Sequence, residues 1–255
     1  MESFKEMLQA LEEKKSSGVA PAGVVDFYRD VLLLQKAHLE RSAPVLTEAS
    51  RREAIARVER GQPATDGTLL EPDVVRSLAS ELAGLMASHG LVDGPQAGED
   101  DSSDFIAAAA QFPFLKSFAE ALLPHLNVSL WQSGICPICG ASPAFAGLAQ
   151  QTRERVLVCS RCGTEWSFKR LCCPFCNEER QELLGYLAAG NRRRRHRRAI
   201  GYRVFVCDHC RRYLKAIDLA AAAQAPISLF IESLLSEELD ELGRRAGYRD
   251  VRGGE

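Results

Sequence analysis

Two matched pairs of segments decide how this chain folds. CPICGASPAFAGLAQ at 136–150 is followed by RVLVCSRCGTEWSFKRL at 155–171. CPFCNEERQELLGYLAAG at 173–190 is followed by RVFVCDHCRRYLKAIDL at 203–219. The stretch from Cys136 to Cys210 holds all nine cysteines of the 255-residue chain. Eight of them form four C-x-x-C pairs: Cys136 with Cys139, Cys159 with Cys162, Cys173 with Cys176, and Cys207 with Cys210. Two thiolates separated by two residues can turn back on one ion as a knuckle, and two knuckles complete a tetrahedral shell. Four knuckles therefore predict two mononuclear sites.

Each half reads as one unit of an internal repeat. A C-P-x-C knuckle leads into a short apolar strand. An R-V-x-V strand returns into a second knuckle, and a third strand leaves it. Val156 with Val158, and Val204 with Val206, give the period of two that a strand requires. This is the layout of a rubredoxin-like or zinc ribbon, in which the metal stands in for a core. It favours pairing knuckle one with two and three with four, although spacing alone leaves a crossed pairing open. The linkers between paired knuckles hold 19 and 30 residues, and the extra length falls in the second hairpin tip. Pro137 and Pro174 fix φ inside their turns. Gly140, Gly163 and Asn177 follow second cysteines, where a left-handed backbone aims amides at sulfur. Arg211 holds that place in the fourth knuckle, which is expected to be looser.

Charge divides the chain as clearly as cysteine does. Residues 1–132 carry 12 basic and 20 acidic side chains, a net charge of −8; residues 133–255 carry 20 and 14, a net charge of +6. The start, MESFKEMLQALEEKK, has charges where a signal peptide needs an apolar run, and no stretch reaches about 18 consecutive apolar residues. A cytoplasmic location follows as an expectation, and reduced cysteines at this spacing read as metal ligands instead of disulfides.

The first 132 residues read as helical. Val24, Phe27, Tyr28, Val31 and Leu34 share one helix face from Pro21 onward. Residues 51–60 form the next helix. Glu71-Pro72-Asp73 opens another, with Val75, Leu78, Leu82, Leu85 and His89 on its face and Gly90 as its stop. The tract 91–103 reads as a loop. Two helices are expected after it, from Asp104 to about Gln111 and from about Pro113 to Leu123. His38, His89 and His125 have no second ligand at useful spacing. At the far end, Ile231, Leu235, Leu239 and Leu242 mark one final helix, with Gly243 as its stop. The expected fold class is α+β: an all-α domain at 1–132, tandem ribbons at 133–172 and 173–220, and a C-terminal helix and tail at 221–255.

Three features stand outside this frame. Arg192 to Arg198, RRRRHRR, occupies the second hairpin tip and suits an anionic surface or simple solvation. Cys172 is the unpaired ninth thiol beside Cys173 and reads as a small apolar residue. His209 lies inside a knuckle that already supplies two sulfurs. A set of four thiolates saturates a tetrahedral ion and leaves no open position for a substrate water. No Walker loop, G-x-S-x-G turn or carboxylate motif accompanies it.

The order and wording of these motifs resemble the formate dehydrogenase accessory protein family, FdhE. The resemblance rests on CPICG-x-x-P at 136–143, C-x-x-C-x-T-E-W at 159–166, the C-x-x-C at 173–176 and C-x-x-C-x-x-Y-L-K at 207–215. DFYRDVLLLQ at 26–35 and RGQP at 60–63 add to it. It implies a cytoplasmic assembly factor and not an enzyme. Such a factor acts on the catalytic subunit of respiratory formate dehydrogenase before that subunit is exported. It also implies two ribbons that bind iron, whereas ligand type alone admits iron or zinc. The arginine run and Cys172 are not part of the shared pattern. Membrane and nucleic-acid partners are not expected. The competing readings are a nucleic-acid-binding zinc ribbon that uses the Arg192–Arg198 tip, and a rubredoxin-like redox protein.

Overall fold

The computed structural model describes residues 2–65, 70–91, 99–148, 154–188, 201–219 and 227–250. The Arg192–Arg198 run lies outside the described residues, as do 92–98 of the polar tract and the tail 251–255. Two compact units result: residues 1–126 with the knuckle tip 161–163, and the rest of 127–255.

The first unit is helical: α1 (Phe4–Ser16), α2 (Ala22–Ser42), α3 (Glu48–Glu59), α4 (Pro72–Ser88) and α5 (Glu99–Leu122). Ser3 and Glu6 form a capping box that starts α1, and Thr47 caps α3. Phe27 and Val31 of α2, Leu78, Leu82 and Met86 of α4, and Ala109, Ala110 and Phe114 of α5 make one core cluster. The apolar spacing on α2 and α4 is thus the spacing that packs, except at Val24, which is exposed while its neighbour Val25 is buried. His38 and His89 serve this packing: His38 Nε2 lies 2.9 Å from Glu81, and His89 Nε2 lies 3.1 Å from Asp30.

The end of this unit differs from expectation. One helix replaces the loop at 99–103 and the two helices after it, and Pro113 sits inside α5. Proline deletes one helical hydrogen bond, but Ala110, Phe112, Phe114 and Leu115 are all buried around it, and that packing holds the helix together. By length and composition the segment Ser102–His125 could cross a membrane; Ala110, Phe114, Leu115, Phe118, Ala119 and Leu122 are instead buried within the fold.

The second unit is built on six strands: β1 (Pro143–Leu148), β2 (Glu154–Cys159), β3 (Glu165–Lys169), β4 (Leu184–Ala188), β5 (Tyr202–Cys207) and β6 (Arg212–Asp218). They form one sheet in the order β3-β2-β1-β6-β5-β4. Each ribbon is an antiparallel meander. The two are fused by a parallel pairing of β1 with β6, Phe145 opposite Lys215 and Leu148 opposite Asp218. The repeat is therefore laid side by side, the exit strand of the second ribbon against the first strand of the first.

One face of this sheet carries the C-terminal helices. The expected single helix is two, α6 (Leu229–Leu235) and α7 (Glu237–Arg245), broken at Ser236. Gly243 is not the stop but lies buried inside α7, where a Cβ would come 2.7 Å from the Tyr213 ring. Gly147 of β1 similarly leaves room for Leu229, whose Cδ1 would lie 2.9 Å from an added Cβ.

Candidate metal centre

Each knuckle is a backbone device before it is a ligand set. The N–H of Cys136 donates to Ala141 O at 2.8 Å, that of Cys159 to Thr164 O at 2.9 Å, and that of Cys173 to Glu178 O at 2.8 Å. The residue after each second cysteine turns left-handed: Gly140 at φ 72°, Gly163 at 68°, Asn177 at 58° and Arg211 at 56°. The amides of Gly140, Asn177 and Arg211 then donate to the carbonyls of Cys136, Cys173 and Cys207 at 2.9–3.0 Å. The fourth knuckle is thus not looser than the others. Arg211 stays in place because its guanidinium lies 4.3 Å from the Tyr248 ring centre and 2.7 Å from Asp208.

The eight paired sulfurs gather into two clusters, Cys136, Cys139, Cys159 and Cys162 in one, and Cys173, Cys176, Cys207 and Cys210 in the other. Within each, all ligand atoms lie within 4.8 Å of one another. A tetrahedral shell with metal–sulfur bonds of about 2.3 Å holds its sulfurs about 3.8 Å apart. The sulfurs of Cys173 and Cys210, and those of Cys176 and Cys207, are 3.7 Å apart, and Cys139 and Cys159 are 3.4 Å apart. The donor set and its dimensions suit a thiophilic ion in each cluster, iron or zinc alike.

The two clusters differ in exposure. All four cysteines of the first are buried; in the second Cys176 and Cys210 are half-buried. Backbone amides point at the sulfurs: Ile138 N–H at Cys136 at 3.4 Å, Phe175 and Cys176 at Cys173, and Cys210 and His209 at Cys207. In the metal-free chain burial pushes the Cys210 thiol up to about 11 and the Cys173 thiol higher still. Burial acts the same way on Cys207, but the amides and its cysteine neighbours outweigh it and bring that thiol below its usual value.

The residues left over by the motifs find places. Cys172 belongs to neither cluster; it is buried, and burial raises its pKa. His209 is exposed at the knuckle turn. Trp166 donates from Nε1 to Ser133 O at 3.0 Å, and Trp131 to Ile135 O at 2.8 Å, which fixes the lead into the first knuckle. Tyr213 and Lys215, from the Y-L-K stretch, reach Asp240 of α7 at 2.8 and 2.7 Å, all three buried. Asp240 was not legible as a partner, though a lysine between Leu214 and Ala216 in an apolar strand signals a buried counter-charge. Arg155 of β2 is likewise buried, its carbonyl partner being Cys172.

This architecture defines a class: helices followed by two tetracysteine ribbons fused into one sheet and backed by short helices. A family model described as "FdhE, central domain" matches residues 135–170. The Protein FdhE homolog of Aquifex aeolicus is 27% identical over 157 residues, 60% of this chain and 51% of that one. Its counterpart in Pseudomonas aeruginosa is 30% identical over 148 residues, 51% of this chain and 47% of that one. The chain thus spans about half the length of the curated relatives it matches. The crystal structure of the FdhE protein from Pseudomonas aeruginosa shares the fold, with a TM-score of 0.65 at 22% identity over 98% of this chain and 92% of that one. The chain is thus similar to FdhE proteins over its central region and shares the fold of one of them.

Proposed function

We propose that this protein is a cytoplasmic, non-enzymatic accessory factor for formate dehydrogenase, which binds the catalytic subunit before its export. Its eight paired cysteines ligate two metal ions, iron or zinc. The observation that carries the reading is the pair of four-sulfur clusters at tetrahedral spacing in the fold of an FdhE protein. Four thiolates fill the shell, so the ribbons offer a rigid surface or a redox state, not a site for substrate water. The acidic helical half and the basic ribbon half can orient a partner by complementary charge, which acts on encounter and specificity more than on affinity.

A deletion strain grown on formate tests this. The dehydrogenase polypeptide should persist while its formate-oxidising activity is lost. In a pull-down, Cys173→Ser with Cys176→Ser should weaken capture of the catalytic subunit while the helical unit stays folded. Full activity in the deletion strain, or equal capture by residues 1–126 alone, would overturn the proposal.

A further inference from the structure

A cavity of about 160 Å³ opens beside the second cysteine cluster. Cross-strand partners share a sheet face, and the pairings of Arg155 with Leu148, Leu148 with Asp218, and Phe205 with Leu214 and Tyr186 place these side chains on the face opposite α6 and α7. Leu171, Phe175, Leu184, Tyr186, Phe205 and Leu214 line the cavity. Its size is that of one ring: a cavity of about 150 Å³ in an apolar core takes up benzene. Leu171 and Tyr186 are 61% and 59% exposed, so two large apolar side chains stand in water at its rim.

Arg155 makes this more than an apolar hollow. It lines the cavity, is 3% exposed, and lies 5.4 and 6.0 Å from the ring centres of Phe168 and Phe205. One terminal nitrogen donates to Cys172 O. Its Nε is buried with no acceptor among the described residues. A buried donor left without a partner costs about 1–3 kcal/mol, and a buried cation asks for an anion. The sulfur of Cys173 answers part of the charge from one side, but no atom of the described residues accepts from Nε. Arg170 and Arg212 add two further guanidinium groups along the lining.

We propose that this cavity binds a small organic carboxylate, its single ring or branched chain packed on Phe205 and Leu214 and its carboxylate drawn by the guanidinium groups of Arg155, Arg170 and Arg212. The apolar lining disfavours inorganic phosphate, which is strongly hydrated and brings no apolar surface. The volume limits the apolar part to one ring. The inference is independent of the dehydrogenase reading, since it rests on residues of the cavity and on no partner.

The test uses the full metal-loaded chain and N-acetylphenylalanine as probe. The Arg155 Nε–H resonance, assigned by its loss in Arg155→Met, should shift and saturate on titration. N-acetylphenylalanine amide should bind at least about tenfold more weakly, the loss of one charge-assisted hydrogen bond. Leu171→Asp, a rim change on an exposed side chain, should weaken the carboxylate by about tenfold or more through charge repulsion while both metals are retained. Equal binding of acid and amide, or no shift at 10 mM probe (about a hundredfold above a 0.1 mM site), overturns the proposal. So does a peptide ending in a free phenylalanine carboxylate that binds tenfold more tightly than the probe, because the occupant would then be a chain terminus.

Discussion

Residues that follow second cysteines show how much of a knuckle is backbone. Gly140 sits at φ 72° and donates to Cys136 O at 3.0 Å. An L side chain there costs roughly 1–2 kcal/mol. Gly140→Ala should therefore lower the stability of the metal-loaded protein by about that amount in denaturant titration; an unchanged midpoint would mean the turn relaxes without loss. Arg211 shows the converse, a bulky residue kept left-handed by Asp208 three positions back and by Tyr248, a contact 37 positions away that no local rule anticipates. Exposure separates the two clusters. Cys176 and Cys210 are half-buried whereas the first cluster is wholly buried, so a chelator should remove metal in two phases, the faster one abolished by Cys176→Ser. Protons set the pH dependence. In the metal-free chain burial favours the protonated Cys210 thiol; its contribution to folding is whole below the ordinary value of 9.0 and is lost as pH rises through about 11. The metal-loaded chain behaves oppositely, because each ion must displace thiol protons: uptake releases protons, and retention falls as pH falls. Proton release measured in weakly buffered solution checks the sign.

Elements are held by partners that lie off the sequence motifs. Lys215 of β6 donates to Asp240 at 2.7 Å and to Ser233 O at 2.8 Å, while Tyr213 donates to the same carboxylate. Asp240→Asn leaves a buried ammonium without its charge, a loss of about 3–5 kcal/mol in comparable pairs. Pairing Lys215→Met with Asp240→Leu should restore much of it, since an apolar pair of similar volume is often neutral. Thermal unfolding of the single and double variants decides this, and a double variant worse than the single would show that the pair is needed for more than mutual neutralisation. These elements were legible to different degrees. The strands and clusters could be read because C-x-x-C spacing and period-two apolarity are local. Proline usually ends a helix, so the sequence predicts a break at Pro113, and buried neighbours on both sides override it. Gly243 reads as a stop for the same reason, yet its missing Cβ is what admits Tyr213. The parallel pairing of β1 with β6 has no local signature, because either edge of either ribbon offers the same backbone groups.

At the scale of the whole chain, two ways of making a stable unit stand side by side. The helical unit has a contiguous apolar cluster from α2, α4 and α5, which is the ordinary source of folding free energy. The sheet unit also buries apolar side chains, among them Phe145, Leu157, Trp166 and Leu214, but its knuckles are turns with few side chains to bury. Fixing each residue's backbone costs about 1–2 kcal/mol, which a metal bound by four thiolates readily offsets. Removal of metal should therefore act unequally. With a strong chelator, or in Cys136→Ser, limited proteolysis should cut within 133–215 while α2, α4 and α5 remain protected, as read by mass spectrometry of the fragments. The fusion of the ribbons sharpens the expectation. β1 and β6 are paired over four residues, and the backbone of Gly134, ahead of the first knuckle, lies so close to that of Pro174 in the third that a Cβ at Gly134 would collide with it. Loss of one ion should then loosen both ribbons, so Cys136→Ser should also expose the 173–210 segment and lower metal content by more than one ion per chain. If the second cluster keeps its full ion and its protection in that variant, the ribbons are energetically separate despite sharing one sheet.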